Sequence, residues 1–266
     1  MLSGLRAVAN PVPGWSCDSL DTRPTRSDSC QPPQPRHETP VIPWKLIDTA
    51  DVPGGGEKLR LMQRGAEFTI KLGQNELMSS RLFGSEEALA TLSCFRIKAL
   101  PAPRLLIGGY GMGFTLRAAL KVLGPQARVT VAELVPAVIA WARGPMAALS
   151  GGCLDDPRVT IRETDVVELI AASRAHYDAI LLDVDNGPEG LTRTSNDALY
   201  DLAGLRAAFS ALRPAGVLAV WSSNPDVRFA ERLRKAGFVA EVIKIRATGT
   251  RGGARHVIWI ATRPAQ

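Results

Sequence analysis

The sequence predicts an α/β protein: a seven-stranded, mostly parallel sheet with an antiparallel last strand, preceded by a small N-terminal β meander. From Arg104 onward, short runs rich in Val, Ile and Leu alternate with amphipathic stretches of helical length. That is the pattern of parallel strands covered by helices on both faces. The last two runs are separated only by "ATGTRGGAR", too short and glycine-rich for a crossover helix, so they pair as an antiparallel hairpin at the sheet edge. Ahead of this alternation, the region from Lys58 shows a two-residue apolar period interrupted by turn residues, the mark of antiparallel strands.

In chain order, residues 1–43 hold eight of the 19 prolines, and four arginines balance four acids there. Such a segment buries too little apolar surface to offset its ordering entropy and is expected to be a disordered tail. Residues 44–100 are expected to form the meander and one helix. "KLRLMQ" alternates, Arg64-Gly65 turns, "EFTIKL" alternates again, and "GQN" turns before "ELMSS". Ser85 then precedes "EEALATLSCFRIKAL", with Glu86 and Glu87 in a first turn where the helix dipole favours acids. Residues 101–266 carry the larger sheet. Its strands are predicted at 104–109, 128–134, 158–163, 177–184, 216–222, 238–246 and 256–262, and its helices at 113–123, 136–149, 197–212 and 226–236.

The totals narrow the function. With 266 residues and 45% apolar content the chain can bury one sizeable core. Cys17, Cys30, Cys94 and Cys153 show no paired spacing, and His37, His176 and His256 are scattered. Neither a disulfide framework nor a metal site is expected. No apolar run approaches the length of a membrane span, and no basic region followed by an apolar core opens the chain. The cytoplasm is therefore the default compartment. The net charge of +6 resides in the segment from Asp226 to the end, where nine Lys/Arg face three acids. A basic face of this kind is either solvated or meets an anion, and without interleaved aromatics nucleic acid is not the expected partner.

Chemistry in an open α/β sheet sits at the carboxyl ends of the strands, near the reversal in strand order. Here the first predicted strand ends in "GGYGMG", with Gly108, Gly109, Gly111 and Gly113, and the second ends in Glu133. The third is followed by Asp165, and the fourth runs into "LLDVDNGP", with Asp183, Asp185 and Asn186. Glycines let backbone approach a ligand closely. A carboxylate after the second strand can accept from both ribose hydroxyls, and one after the third from the exocyclic amine of adenine. The combination predicts a nucleoside site. Blander readings stand beside it: Glu133 as a dipole charge for the following helix, and Asp165 as a cap on "VVELI". Asp183 ends an apolar strand, where an acid is costly unless a cleft or a partner receives it. NAD is the rival ligand, but the third glycine of its fingerprint is absent, Thr115 and Leu116 following Phe114.

The ordered set "LLIGGYGMG", "VTVAELVPAVIAWAR", "DPRVTIRETDVVELI", "YDAILLDVDNGPEG" and "LRPAGVLAV" resembles the polyamine aminopropyltransferases. That spermidine synthase family is built on the Rossmann-like class I methyltransferase fold, and the small β meander is also one of its features. The resemblance implies an S-adenosyl sulfonium donor: S-adenosylmethionine or its decarboxylated form, with no metal. Glu133 with Leu134 would bind ribose, and Asp165 with Val166 would hold adenine. Asp183, supported by Asp185, would accept the proton of an attacking amine. Glu86, Glu87 and Asn186 would meet that small-molecule acceptor, and a homodimer would be compatible with the family. Two departures stand out. The family's G-G-G-D-G-G loop places an aspartate where this chain has Gly111, and the tyrosine of its acceptor stretch is missing from "GQNELMSSRLFGSEEALATL". Losing the loop aspartate makes intact S-adenosylmethionine a plausible donor and shifts the expectation toward methyl over aminopropyl transfer. A non-catalytic nucleoside-binding protein is the alternative from another class, and a nucleic-acid methyltransferase is the third reading.

Overall fold

The computed structural model describes residues 42–54, 56–184, 198–247 and 255–265. The expectations placed on residues 1–41, Asp185 and Asn186 lie outside the described residues. The chain from Ile42 onward carries two sheets.

The first sheet is an antiparallel meander, β1 (Lys45–Asp51), β2 (Lys58–Arg64), β3 (Glu67–Leu72) and β4 (Asn75–Ser79), in that order. The sequence showed the last three and missed β1. That edge strand is largely exposed and bulges between Leu46 and Asp48, so it has no buried face to write as an alternating pattern. Leu59, Leu61, Phe68, Ile70 and Leu72 turn inward to join the main core. The helix α1 (Gly84–Ile97) follows. It begins before Ser85, which lies inside the first turn and makes no cap bond.

The second sheet contains β5 (Arg104–Gly108), β6 (Arg128–Glu133), β7 (Val159–Glu163), β8 (Tyr177–Leu182), β9 (Leu212–Ser222), β10 (Val239–Arg246) and β11 (Arg255–Thr262). Their order is β10-β11-β9-β8-β5-β6-β7, with β11 antiparallel to both neighbours and the remaining pairs parallel. Between them lie α2 (Phe114–Val122), α3 (Pro136–Arg143), the single turn α4 (Ala147–Ser150), α5 (Val166–Ala171), α6 (Leu202–Ala211) and α7 (Val227–Lys235). The predicted helix 136–149 breaks because the Gly144 N–H closes on the carbonyls of Ala140 and Trp141 and Pro145 cannot continue it. Strand β9 starts earlier than predicted. Residues 212–215, left outside the predicted strand 216–222, join it through a register irregularity against β8. At six residues, α5 is too short to display a helical period.

Strand alternation divides the apolar residues between two layers. Leu105, Ile107, Val129, Val131 and Leu181 pack beneath α1, α2 and α3. Leu106, Ile180, Leu182, Leu218 and Val220 pack against α5, α6 and α7. The chain runs outward from β5 through β6 to β7, then returns to place β8 on the other side of β5. The loops after β5 and β8 therefore part company, leaving a crevice at their carboxyl ends. Among the described residues no helix is long and apolar enough to cross a membrane.

Candidate active site

The glycine turn after β5 is stitched into that crevice from both sides. The Gly109 N–H donates to the Ala132 carbonyl at 2.8 Å, and the Asp183 N–H donates to the Gly108 carbonyl at 3.1 Å. Gly109 has φ +83°, and a Cβ there would stand 2.7 Å from the Asp183 carbonyl oxygen. No other residue fits. Gly111 has φ +55°, and the space its side chain would take holds the Met78 Sδ and Cε, 2.8 and 2.7 Å from a built Cβ. Met78, from β4, is held there by the Met112 N–H at 3.1 Å from its sulfur. The loop position expected to matter most is thus covered by a thioether.

Glu133 ends β6 and is only 7% exposed. Its Oε2 accepts the Tyr110 N–H at 2.9 Å and its Oε1 the Val135 N–H at 2.8 Å. Burial pushes its carboxyl above the ordinary range, against the opposing pull of these backbone donors. The N–H groups of Gly111 and Leu134 also favour its charged form, so four backbone donors converge on this carboxylate. Asp165 does cap α5, taking the Val167 N–H at 2.9 Å, and it also lines the pocket together with Val166. Capping therefore does not remove this side chain from the cavity wall.

Asp183 lies just past the end of β8, where its Oδ2 accepts the Thr115 hydroxyl at 2.7 Å. Glu86 reaches the same pocket from the first turn of α1. The Ser85 hydroxyl donates to Glu86 Oε2 at 2.6 Å and stands 2.8 Å from His256 Nδ1 on β11. Burial first, then the nearby Asp183 charge, pushes Glu86 up to about 7, and burial pushes Asp183 up to about 6. Asp178, at the opposite end of β8, shows what a buried acid looks like when it is structural. It accepts the Arg104 N–H at 2.8 Å and pairs with Arg213 at 3.0 Å. No cation is provided for Glu86 and Asp183 among the described residues lining the pocket.

These groups surround a cavity of about 170 Å³. Glu133, Leu134, Asp165 and Val166 form one part of its wall, and Glu86, Asp183 and Trp221 another. The Trp221 Nε1 is buried with no hydrogen-bond partner among the described residues. Gly109 and Gly111 line the cavity, whereas Gly108 packs against Leu182 and Val166, and Gly113 against Tyr110. Glu87, expected beside the acceptor, is not among the lining residues and forms an ion pair with Arg117 at 3.2 Å. Met78, Ser85, Thr115, Trp221 and His256 were missed as site residues, since each is ordinary in its local context and reaches the site only through packing. Among the described residues no cluster of His, Cys, Asp or Glu could hold a metal ion.

A family model described as the spermine/spermidine synthase domain matches residues 83–234. A polyamine aminopropyltransferase of Corynebacterium efficiens is 34% identical over 143 residues, covering 50% of this chain and 26% of that protein. One of Mycobacterium tuberculosis is 31% identical over 147 residues, covering 52% and 27%. The chain spans about a quarter of the length of these two relatives. Among solved structures, a spermidine synthase in complex with the transition state analogue AdoDATO superposes with a TM-score of 0.66 at 21% identity, over 84% of this chain and 73% of that one. The spermidine synthase of Thermotoga maritima gives the same score and identity, over 84% and 74%.

Proposed function

The chain belongs to the spermine/spermidine synthase family, and from that premise we propose that it transfers an aminopropyl group from decarboxylated S-adenosylmethionine to a small amine. The observation that carries this reading is the pair of buried acids, Glu86 and Asp183, facing one cavity with no cation among its described lining residues. Burying two carboxyl groups together is costly, and a protein that only binds a nucleoside gives no reason for it. An amine acceptor does.

Glu133 and Leu134 hold the ribose, and Asp165 with Val166 flanks the adenine. Gly109 leaves room for the nucleoside to lie against backbone. The acceptor enters as an ammonium ion and gives one proton to the Glu86–Asp183 pair, whose raised affinity for protons suits it to that task. The freed nitrogen lone pair forms the new C–N bond while the C–S bond breaks. Its electron pair returns to sulfur, neutralising the sulfonium and leaving methylthioadenosine. Thr115 and Ser85 fix the two carboxyl groups, and alignment of the reacting atoms supplies much of the rate.

Methyl transfer from intact S-adenosylmethionine is the second reading. Gly111 beneath Met78 favours it, because no acid at that turn selects a donor tail bearing a lone ammonium. Calorimetric titration with both donors and with methylthioadenosine, followed by mass spectrometry of an amine incubated with each donor, separates the two. An acceptor heavier by one aminopropyl group supports the first reading, and one heavier by a methyl group the second. Failure of all three nucleosides to bind overturns both.

A further inference from the structure

Each turnover leaves a proton over. The amine enters as an ammonium ion and leaves as a secondary ammonium ion while the sulfonium charge is cancelled, so one proton per transfer must quit the pocket. Glu86 stands at the head of a chain of hydrogen bonds that leads away from it. The Ser85 hydroxyl donates to Glu86 Oε2 at 2.6 Å and lies 2.8 Å from His256 Nδ1. Ser85 is fully buried, whereas the His256 ring on β11 is half-buried. The Gly84 N–H donates to the Ala247 carbonyl at 2.9 Å, which ties the first turn of α1 to the chain leaving β10. Around the imidazole, β9 sets the Trp221 ring at 4.8 Å, edge to face, and β10 sets Ile245 opposite. Lys244, Arg246 and Arg255 alternate to the other face of the sheet, and Glu241, on the imidazole's side, is paired with Arg96 of α1.

We propose that His256 is a relay residue, carrying the proton released by the amine from Glu86 through the Ser85 hydroxyl to solvent. This inference rests on the transferase reading above. Protonated Glu86 gives its proton to Ser85 Oγ as the Ser85 hydroxyl gives its own to Nδ1, and the imidazolium so formed releases its Nε2 proton to water. Glu86 is again a carboxylate, Ser85 again a hydroxyl, and the imidazole is neutral with its proton on Nδ1. That end state fits the geometry: with the hydroxyl proton committed to an ionised Glu86, Nδ1 has to be the donor to Oγ. Burial keeps the imidazole neutral and so able to take a proton, and Glu86, held at about 7, gives one up near neutral pH.

The wire is tested first without turnover. Long-range nitrogen–proton NMR of the full chain reads which ring nitrogen of His256 is protonated, the signals being assigned with His256→Asn. As Glu86 takes up its proton at about pH 7, it should donate to Oγ and turn the Ser85 hydroxyl toward Nδ1. The imidazole proton is then expected to move from Nδ1 to Nε2, and Ser85→Ala should abolish that reversal. A tautomer indifferent to this titration, or one that reverses equally in Ser85→Ala, overturns the inference. Turnover is then measured with decarboxylated S-adenosylmethionine and 1,4-diaminobutane. His256→Asn keeps a polar partner for Ser85 but cannot relay a proton. Its kcat is expected to fall about 10²-fold, with KM and methylthioadenosine affinity within a few fold of wild type, and added imidazole should restore the rate in proportion to its concentration. An asparagine variant as fast as wild type, or a slow one that imidazole does not rescue, also counts against the relay. If the wild-type chain transfers nothing, the transferase reading falls by that result, and the tautomer measurement still decides whether the wire exists.

Discussion

Glu86→Gln removes one of two acids whose burial, and for Glu86 the neighbouring Asp183 charge, costs the folded protein stability as pH rises. Burial and the Asp183 charge raise Glu86 from an ordinary 4.5 to about 7. The folded protein therefore holds this proton more tightly than the unfolded chain does. Its contribution to stability is fully present below about pH 4.5 and is lost as pH rises through about 7. Each pKa unit corresponds to about 1.4 kcal/mol, so the shift amounts to about 3 kcal/mol lost across that window. His256, lowered by burial, acts in the opposite direction near neutrality, and Glu133, raised by burial, acts in the same direction. Both are present in the variant, so the difference between the two proteins isolates Glu86 and its effect on Asp183. Glutamine keeps an acceptor for the Ser85 hydroxyl and carries no charge. Urea unfolding at several values between pH 4.5 and 7.5 should show the wild-type protein losing about 3 kcal/mol more than Glu86→Gln. Identical pH slopes would refute the reasoning, because Glu86 would then be neither desolvated nor coupled to Asp183.

Asp183→Asn keeps the size of the side chain and an acceptor for Thr115 but removes the proton acceptor. Turnover with a working acceptor should fall by about 10²–10⁴, with methylthioadenosine affinity held within a few fold by calorimetry; full activity would exclude Asp183 as the base. Glu133→Ala leaves the buried Tyr110 and Val135 N–H groups without their partner, so it should destabilise the fold by about 1–3 kcal/mol and also weaken nucleoside binding. Unfolding curves unchanged from wild type would mean that the glycine turn does not depend on it. Gly111→Asp should restore an acid to the turn once the flexible Met78 end moves aside. Competition titrations should then shift toward the decarboxylated donor by roughly tenfold to a hundredfold, and no shift would exclude Gly111 as the determinant.

The sequence alone determined the features that are local or periodic. Val- and Leu-rich runs separated by amphipathic helices can satisfy their backbone and bury both faces in only a few ways, so the mostly parallel sheet with its antiparallel edge hairpin followed, while the strand order that opens the crevice came with the structure. Glu133 and Asp183 were legible because each is an acid at the end of an apolar run, where burial needs a reason, and Asp165 because it follows the third predicted strand at the same end of the sheet. The glycine turn was legible too, although only Gly109 and Gly111 line the cavity, while Gly108 and Gly113 serve packing. Tertiary structure decided what stands opposite. Glu86 and Glu87 are adjacent acids in one helical turn, yet α1 delivers one to Asp183 and the other to Arg117. Met78 folds over Gly111 from a strand 33 positions earlier in the chain, and His256 reaches Ser85 from across the chain. No spacing in the sequence encodes those meetings. They arise when the meander and the seven-stranded sheet bury their apolar faces in one core, and that packing sets the partners and proton affinities of the two acids.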